Sequence, residues 1–508
     1  MKQGKVYLVG AGPGDTGLIT VKGLECLKKA EVVVYDHLLD EVLLEAAPSG
    51  AEMIYAGKKA GCHALRQEEI NQLLVDKARE GKLVVRLKGG DPFVLGRGGE
   101  EAEALVASGL PFEIVPGITS AIAAPAYAGI PVTHRSLASS FSVVTGHEDP
   151  TKGKSSINWE KLATATDTLV FLMGTANLPH IVAKLIENGR PPQTPTAIIR
   201  EGTRPEQLVV TGTLANIVPK AKEAGIKPPA ITVVGEVVRM REVIAWFDRR
   251  PLFGKRVLVT RSRSQASALS RLLAESGALP VEIPAIEIQQ IENTAGLDSA
   301  IKNIDKYHWC ILTSANGVDA LFERLHALGG DSRWLKGVKM AAIGAATAEA
   351  LETQGIKAEF VPKEFTTEGL LEGFGRQQIK GRRFLLPRAD IAPPELTDGL
   401  RQLGAEVDEI TAYRTVPATK SIAKGKKLLE EGGIDVITFT SSSTVTNLVQ
   451  ALGGNTDLIK KTVVACIGPV TAETAIKAGL EVAITAREHT IPGLVAALEE
   501  YYRERGED

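Results

Sequence analysis

The sequence of 508 residues predicts an α/β protein with largely parallel sheets. Three observations predict it. Short β-rich runs alternate with helical stretches along the whole chain; most runs end in Gly, Ser or Thr turn residues; and runs such as Val32-Val33-Val34 are apolar on both faces, as strands between two helix layers must be. In chain order, strands are expected at 6–9, 32–35, 83–87, 169–172, 231–234, 256–260, 309–313, 384–387, 436–440 and 463–467.

Organisation follows from punctuation and repetition. Length alone suggests about three domain-sized units. The segment 248–254 is charged and broken by Pro251 and Gly254, so it reads as a linker between halves at 1–247 and 255–508. The second half repeats itself. Ile343-Gly344, Thr347-Ala348-Glu349, Gly355, Glu364, Thr366 and Gly369-Leu370 recur 124 residues later as Ile467-Gly468, Thr471-Ala472-Glu473, Gly479, Glu488, Thr490 and Gly493-Leu494. A second register, shifted by 127, relates Arg261, Leu269, Leu273, Gly277-Ala278 and Glu282-Ile283 to Arg388, Leu396, Leu400, Gly404-Ala405 and Glu409-Ile410. Two similar α/β lobes are expected, with a ligand cleft between them.

Composition excludes several classes. Lys+Arg 59 against Asp+Glu 61 gives net charge −2, which argues against a globally basic nucleic-acid binder and an acidic disordered tail. Cys26, Cys62, Cys310 and Cys466 lie far apart without a C-x-x-C pair, so reduced thiols are expected, not a disulfide framework or zinc knuckle. No metal site is expected. The N-terminus lacks a secretory signal, and no apolar run reaches the roughly 18 residues that span a bilayer. A cytoplasmic protein without membrane or nucleic-acid partners is the expectation.

Three glycine loops carry the chemistry of the first half. The first, Val9-Gly10-Ala11-Gly12-Pro13-Gly14-Asp15, follows a strand but has Asp15 where a dinucleotide fingerprint needs Gly, and Pro13 removes a backbone donor. The second runs from Arg86 to Glu101 and includes Gly89-Gly90-Asp91 and Gly96-Arg97-Gly98-Gly99; paired glycines let backbone approach a ligand. The third is Pro116-Gly117-Ile118-Thr119-Ser120-Ala121, followed by Gly129-Ile130-Pro131-Val132-Thr133-His134-Arg135.

With Tyr35-Asp36, Met173-Gly174, Gly202-Thr203 and the block 229–238, these residues closely resemble uroporphyrinogen-III C-methyltransferases of the tetrapyrrole (class III) methylase superfamily over roughly 3–246. Leu95 departs from the usual Phe, and the dehydrogenase–chelatase extension of some relatives is absent. The resemblance implies two α/β subdomains, about 1–115 and 116–246, with S-adenosylmethionine between them. It places Pro13, Gly89, Gly90, Asp91, Val94, Thr119, Ser120, Met173, Gly202 and Ala230 at the cofactor. It makes Asp36 a proton acceptor and Lys58 a proton donor; alternatively Asp36 caps a turn and Lys58 is a solvated lysine. A substrate with eight carboxylates needs a local basic patch, for which Arg97, His134 and Arg135 are candidates, with Arg200 and Arg204 beside them. The family also implies a homodimer through this half.

In the second half, Ser and Thr stand at strand C-termini, where open α/β sheets place ligands: Thr313-Ser314, Thr440-Ser441 and Thr471. They are candidate carboxylate binders or plain helix caps. His308, His326 and His489 are isolated and read as structural. With Ile343-Gly344, Tyr413-Arg414-Thr415 and Ile467-Gly468-Pro469, this half resembles uroporphyrinogen-III synthases over about 255–503. That resemblance implies a cofactor-free enzyme with lobes of about 255–288 plus 417–503 and 289–414, joined by a two-segment hinge. Tyr413 is then the cleft hydrogen-bonding or proton-donating group, or else a packing tyrosine.

The combined expectation is a two-step enzyme that closes hydroxymethylbilane to uroporphyrinogen III with ring D inversion, then methylates it twice to precorrin-2. Two alternatives are a methyltransferase for a later corrin precursor, and a methyltransferase fused to a non-catalytic tetrapyrrole-binding module.

Overall fold

The computed structural model describes residues 4–37, 39, 41–57, 65–147, 156–260, 263–284, 286–375 and 378–506. The chain divides into two compact units: 1–255 with 273–279 and 499–508, and 256–272 with 280–498. The expected linker borders this division. The short segments 273–279 and 499–508, expected in the second half, group with the first unit instead.

The first unit holds two five-stranded sheets. β1 (Lys5–Gly10), β2 (Val32–Tyr35), β3 (Glu52–Tyr55), β4 (Leu83–Lys88) and β5 (Phe112–Val115) lie in the order β3-β2-β4-β1-β5, with every pairing parallel. Successive residues go to opposite faces: Val6, Leu8, Val32, Val34 and Val84 pack in one core, Val9, Val33, Val85 and Leu87 in another. Helices cover both faces, which is why these strands read as continuous apolar runs.

β6 (Phe141–Thr145), β7 (Thr168–Leu172), β8 (Pro195–Arg200), β9 (Leu208–Thr213) and β10 (Ala230–Val234) form the second sheet in the order β6-β7-β10-β8-β9. Only β6 and β7 are parallel; β7–β10, β10–β8 and β8–β9 are antiparallel. This corrects the expectation of largely parallel sheets for this subdomain. The β8–β9 connection spans only 201–207. A parallel crossover needs about a dozen residues or more, so the chain turns straight back.

The second unit holds two further sheets: β11 (Arg256–Val259), β12 (Leu279–Glu282), β13 (Ile286–Gln290), β14 (Trp309–Leu312), β15 (Lys339–Ala342), β16 (Arg383–Ala389), β17 (Glu406–Pro417), β18 (Val436–Phe439), β19 (Val463–Cys466) and β20 (Val482–Thr485). Their orders are β12-β11-β18-β19-β20 and β13-β17-β16-β14-β15. All ten expected strands are therefore present across the two units. β13 runs antiparallel to β17, so the passage from one sheet to the other falls between 282 and 286, ahead of the expected 288.

The sequence repeat is a structural repeat. β12, β11, β18 and β19 correspond to β17, β16, β14 and β15 in matching order. A bridge from Ala341 to Phe360 occupies the place of β20. Detail repeats as well. Thr366 N donates to Glu364 O at 2.8 Å and Gly369 N to Thr366 Oγ1 at 3.0 Å; the equivalents are Thr490 N to Glu488 O at 2.8 Å and Gly493 N to Thr490 Oγ1 at 3.1 Å.

Cys26, Cys310 and Cys466 are buried free thiols, and Cys62 lies outside the described residues. Burial pushes the Cys310 thiol up to about 12 and that of Cys466 to about 11, so neither is a ready thiolate.

Candidate active sites

In the first unit, three glycines bring three chain segments into contact. A Cβ on Gly117 would lie 2.3 Å from the Gly90 carbonyl oxygen and 2.6 Å from Gly10 Cα. Gly12 and Gly90 exchange backbone hydrogen bonds of 3.2 and 2.7 Å, and Ala11 N donates to Lys88 O at 2.8 Å. Gly90 itself is left-handed (φ +70°). Its missing Cβ would stand 3.8 Å from Ser120 N, at the start of the helix Ser120–Tyr127 that Thr119 caps. A Cβ at Gly90 would therefore meet Thr119-Ser120 at ordinary contact distance, with bare backbone on both sides.

The loops after β4, β7 and β8 hold an unusual backbone. Leu95, Arg97, Met173, Glu201 and Thr203 have φ between +47° and +73°, the left-handed region. They are the non-glycine residues with positive φ among those described, and all follow β4, β7 or β8. Each such residue costs about 1–3 kcal/mol, and such strain concentrates at ligand clamps. Met173 is 52% exposed, so a large apolar side chain is displayed on a strained turn. Gly202 packs on Ala124, whose Cβ would be 2.4 Å from a Cβ at 202, and Ala230 pairs with Arg200 beside it. Pro13 lies in the loop ahead of Asp15. Asp15 N donates to Thr203 Oγ1 at 3.1 Å, and Tyr127 donates its O–H to the Asp15 carboxylate at 2.7 Å. These contacts tie the first glycine loop to the second subdomain.

Asp91, expected at the cofactor, is held by backbone donors. Its Oδ1 accepts from Phe93 N (2.8 Å) and Val94 N (3.1 Å), and its Oδ2 from Gly117 N (3.0 Å). Both oxygens are committed to backbone, so Asp91 shapes the loop and fastens it to Gly117. Arg97 is also engaged: it forks onto Glu100 at 2.8 and 2.6 Å, and that bond raises its already high pKa. His134 sits in a turn closed on Ala138, with its Nδ1 accepting from Ser136 N at 3.2 Å; Arg135 beside it is exposed. Asp36 follows β2, with Oδ2 3.6 Å from Arg86 Nη2. Lys58 lies outside the described residues.

One buried cluster was missed from the sequence. Arg86 and Lys88 on β4 both converge on Glu101 of the helix Gly98–Ala107, joined by Gln67. The motif residues were visible. Reading 86–101 as a glycine loop hid the strand face beneath it.

In the second unit, Ser314 caps the helix Ala315–Ala327 and shares a 2.9 Å hydrogen bond with the Tyr413 hydroxyl. Ser441 caps Ser442–Ala451 and bonds Ser443 at 2.9 Å. Both serines are thus helix caps in this structure. Thr313 is half-buried at the end of β14, and Thr471 is almost fully buried on the helix Pro469–Lys477. The Thr440 hydroxyl is buried with no hydrogen-bond partner among the described residues. A cavity of about 830 Å³ is lined by Tyr413, Asn316, Gln290, Asp319 and Glu323, among others. Of the expected second-half site residues, Tyr413 alone lines it. Burial and neighbouring Glu323 raise the Asp319 carboxyl, and Arg324, ion-paired to Asp298, lies on the same lining.

Two glycine-tied α/β subdomains followed by a pair of duplicated α/β lobes are the architecture of a two-part α/β enzyme. Residues 5–218 match the Tetrapyrrole (Corrin/Porphyrin) Methylases, and 267–496 match Uroporphyrinogen-III synthase HemD. The chain is 41% identical over 499 residues to Porphyrin biosynthesis protein HemD of Ruminiclostridium josui, covering 98% of each. Its first half is 56% identical over 241 residues (47% of the chain, 94% of the relative) to the S-adenosyl-L-methionine-dependent uroporphyrinogen III methyltransferase of Methanosarcina barkeri. It is 57% identical over 238 residues (47% and 98%) to a Uroporphyrinogen-III C-methyltransferase of Methanocaldococcus jannaschii. The chain belongs to the family of fused enzymes that carry a tetrapyrrole methylase ahead of a HemD-type uroporphyrinogen-III synthase. Among the described residues, no helix is long and apolar enough to cross a membrane.

Proposed function

We propose that the second unit closes hydroxymethylbilane to uroporphyrinogen III with inversion of ring D, and that the first methylates this product twice to precorrin-2. The observation that carries the methylation step of this reading is the glycine seam of the first unit. Gly10, Gly90 and Gly117 bring bare backbone together beside Thr119-Ser120, where main-chain groups would read a ligand. S-adenosylmethionine is the ligand proposed there, and it supplies an activated methyl group when bound. Pro13, Gly89, Gly90, Val94, Thr119, Ser120, Met173, Gly202 and Ala230 are proposed to hold it, with Asp91 shaping the loop.

The methyl donor is already reactive, so this chain mainly orients and excludes water. Asp36 takes up the proton that the methylated pyrrole must lose, and Lys58 returns one. Arg135 is the exposed candidate for substrate carboxylates, with Arg97 and His134 contributing only where their present partners yield. In the second unit, the Tyr413 hydroxyl, held by Ser314, assists departure of the substrate hydroxyl. Thr313, Ser314, Thr440, Ser441 and Thr471 are proposed to meet acetate and propionate groups. No cofactor is needed there. We place the enzyme in the cytoplasm as a homodimer through its first unit, with the lobe and subdomain limits given above.

The test is anaerobic incubation with hydroxymethylbilane, with and without S-adenosylmethionine. Isomer III without the donor and a doubly methylated product with it are expected. Isomer I alone would reduce the second unit to a binding module. Methylation only of a later corrin precursor would reassign the first.

Tyr413→Phe should lower isomer III formation by about 10-fold or less. The enzyme's main task is holding the bilane folded, and one hydrogen bond to Ser314 is worth about 1 kcal/mol. Rates of linear-substrate consumption, corrected for spontaneous isomer I, measure this. Complete loss would make Tyr413 an indispensable acid and contradict the scheme.

A further inference from the structure

β4 of the first unit carries two buried cations, Arg86 and Lys88, which with the buried Glu101 the scheme above leaves unused. Glu101 is fully buried. Its Oε1 accepts from Lys88 Nζ at 2.7 Å, Arg86 Nε at 3.1 Å and Gln67 Nε2 at 3.3 Å. Its Oε2 is buried with no hydrogen-bond partner among the described residues. Arg86 and Lys88 are each 4% exposed. Arg86 also donates through Nη1 to the carbonyls of Val34 (3.3 Å) and Leu87 (3.2 Å), and its Nη2 stands 3.6 Å from Asp36 Oδ2. Two cations thus face two carboxylates.

Such a set is costly. Each ion loses several kcal/mol of hydration, and apolar residues of similar volume are often at least as stabilising. Burial together with the neighbouring Arg86 charge holds the Lys88 ammonium below the ordinary lysine range. Stability alone gives no reason for polar residues at 86 and 88 on a strand otherwise made of Leu and Val. Their location does. Arg86 is the link to Asp36. Lys88 offers its carbonyl to Ala11 N and leads directly into Gly89-Gly90. One buried carboxylate therefore anchors both the acid–base side and the cofactor side of the cleft.

We propose that Arg86, clamped by Glu101, is a positioning residue for methyl transfer that fixes the Asp36 carboxylate in one orientation beside the cleft. The proposal rests on the proton-accepting role given to Asp36 above. Arg86 is suited to the task because its fork reaches Glu101, two carbonyls and Asp36 at once; a lysine offers one point of charge.

The test is a mutant cycle in the full chain: Asp36→Asn, Arg86→Gln, both together, and Arg86→Lys. Supplied uroporphyrinogen III and S-adenosylmethionine are the substrates. Isomer III formation by the same chain shows that the second unit is intact, and calorimetry with S-adenosylmethionine reports folding of the first unit and its cofactor site. Arg86→Gln should lower the methylation kcat by about 10²-fold, the scale of a misplaced reacting group. The KM for S-adenosylmethionine should stay within about two-fold of wild type. Arg86→Lys should recover part of the loss, and the double variant should be no slower than Asp36→Asn alone, since both act through one group. A double variant slowed by the product of the two single effects would overturn the proposal, as would wild-type kcat in Arg86→Gln. If Arg86→Gln fails to bind cofactor, the same cycle run with Arg86→Lys decides by the same criterion. Wild-type methylation by Asp36→Asn would instead remove Asp36 from the scheme, a distinct outcome that removes the proposal with it.

Discussion

Alanine at Gly117 is expected to abolish cofactor binding in the first unit and to destabilise it by about 3 kcal/mol or more. The added Cβ would stand 2.3 Å from the Gly90 carbonyl oxygen and 2.6 Å from Gly10 Cα. Both obstacles are backbone, so no rotamer change relieves them, and overpacking at a site that cannot relax exceeds the usual 1–3 kcal/mol. The seam can open only by separating β1, the loop after β4 and the start of the 120–127 helix. Asp91 would then lose Gly117 N as a donor, and the loop it shapes would slacken. Urea unfolding followed separately in each unit, together with calorimetric titration of S-adenosylmethionine, measures both effects. Isomer III formation should persist. Wild-type affinity in Gly117→Ala would mean that the seam does not form the cofactor site.

Glu101→Ala is expected to be comparably severe, by another route. It leaves two buried cations, Arg86 and Lys88, without their shared carboxylate, a loss of about 3–5 kcal/mol for one partner of a buried ionic set. The variant should also acquire a pH dependence of definite sign. Burial lowers the Lys88 pKa in the folded chain, while in the unfolded chain it returns towards 10.5. The unfolded state therefore binds more protons in the interval between those values, and stability rises with pH across it. Removing Glu101 takes away a group that holds the proton on Lys88, so this interval widens downward. Melting temperatures of Glu101→Ala between neutral pH and about pH 10 should climb relative to wild type. A flat difference would show that Lys88 finds another anion.

Much of this architecture was open to a reader of residues alone. Runs such as Val32-Val33-Val34 announce strands because their burial on both faces leaves no polar position to interrupt them. The lobe repeat was legible because the matched residues do one job in each copy: Thr366 and Thr490 both start a helix by bonding the glycine three residues on. Strand direction was not legible. Nothing in the apolar run of β10 distinguishes a parallel neighbour from an antiparallel one, so the mixed sheet of the second subdomain appears only in three dimensions. The site showed the same division. Glycine spacing marked the seam, because only glycine tolerates such approach. The partners of Asp91 and Arg97 depend on where Gly117 and Glu100 present their atoms, which spacing does not encode. Glu101 stayed hidden because a charged residue at the start of a helix reads as a solvated one.

The nested order of the synthase sheets bears on how the chain is made. β11 pairs with β18, and Arg256 N meets the Asp435 carboxylate across 179 residues of sequence. β13 to β17, by contrast, form a sheet from one uninterrupted stretch, so that lobe has all its strands as soon as residue 417 has left the ribosome. β11 and β12 emerge earlier yet must wait for β18 to β20 before their sheet can close. The lobe inserted in the middle is thus set to fold first. The lobe that encloses it carries the larger loop-closure cost and the slower, aggregation-exposed step. Truncation after 417 should accordingly leave an ordered inner sheet beside two orphaned strands, and the newly made chain has most need of chaperone cover while residues 418–485 are still to come.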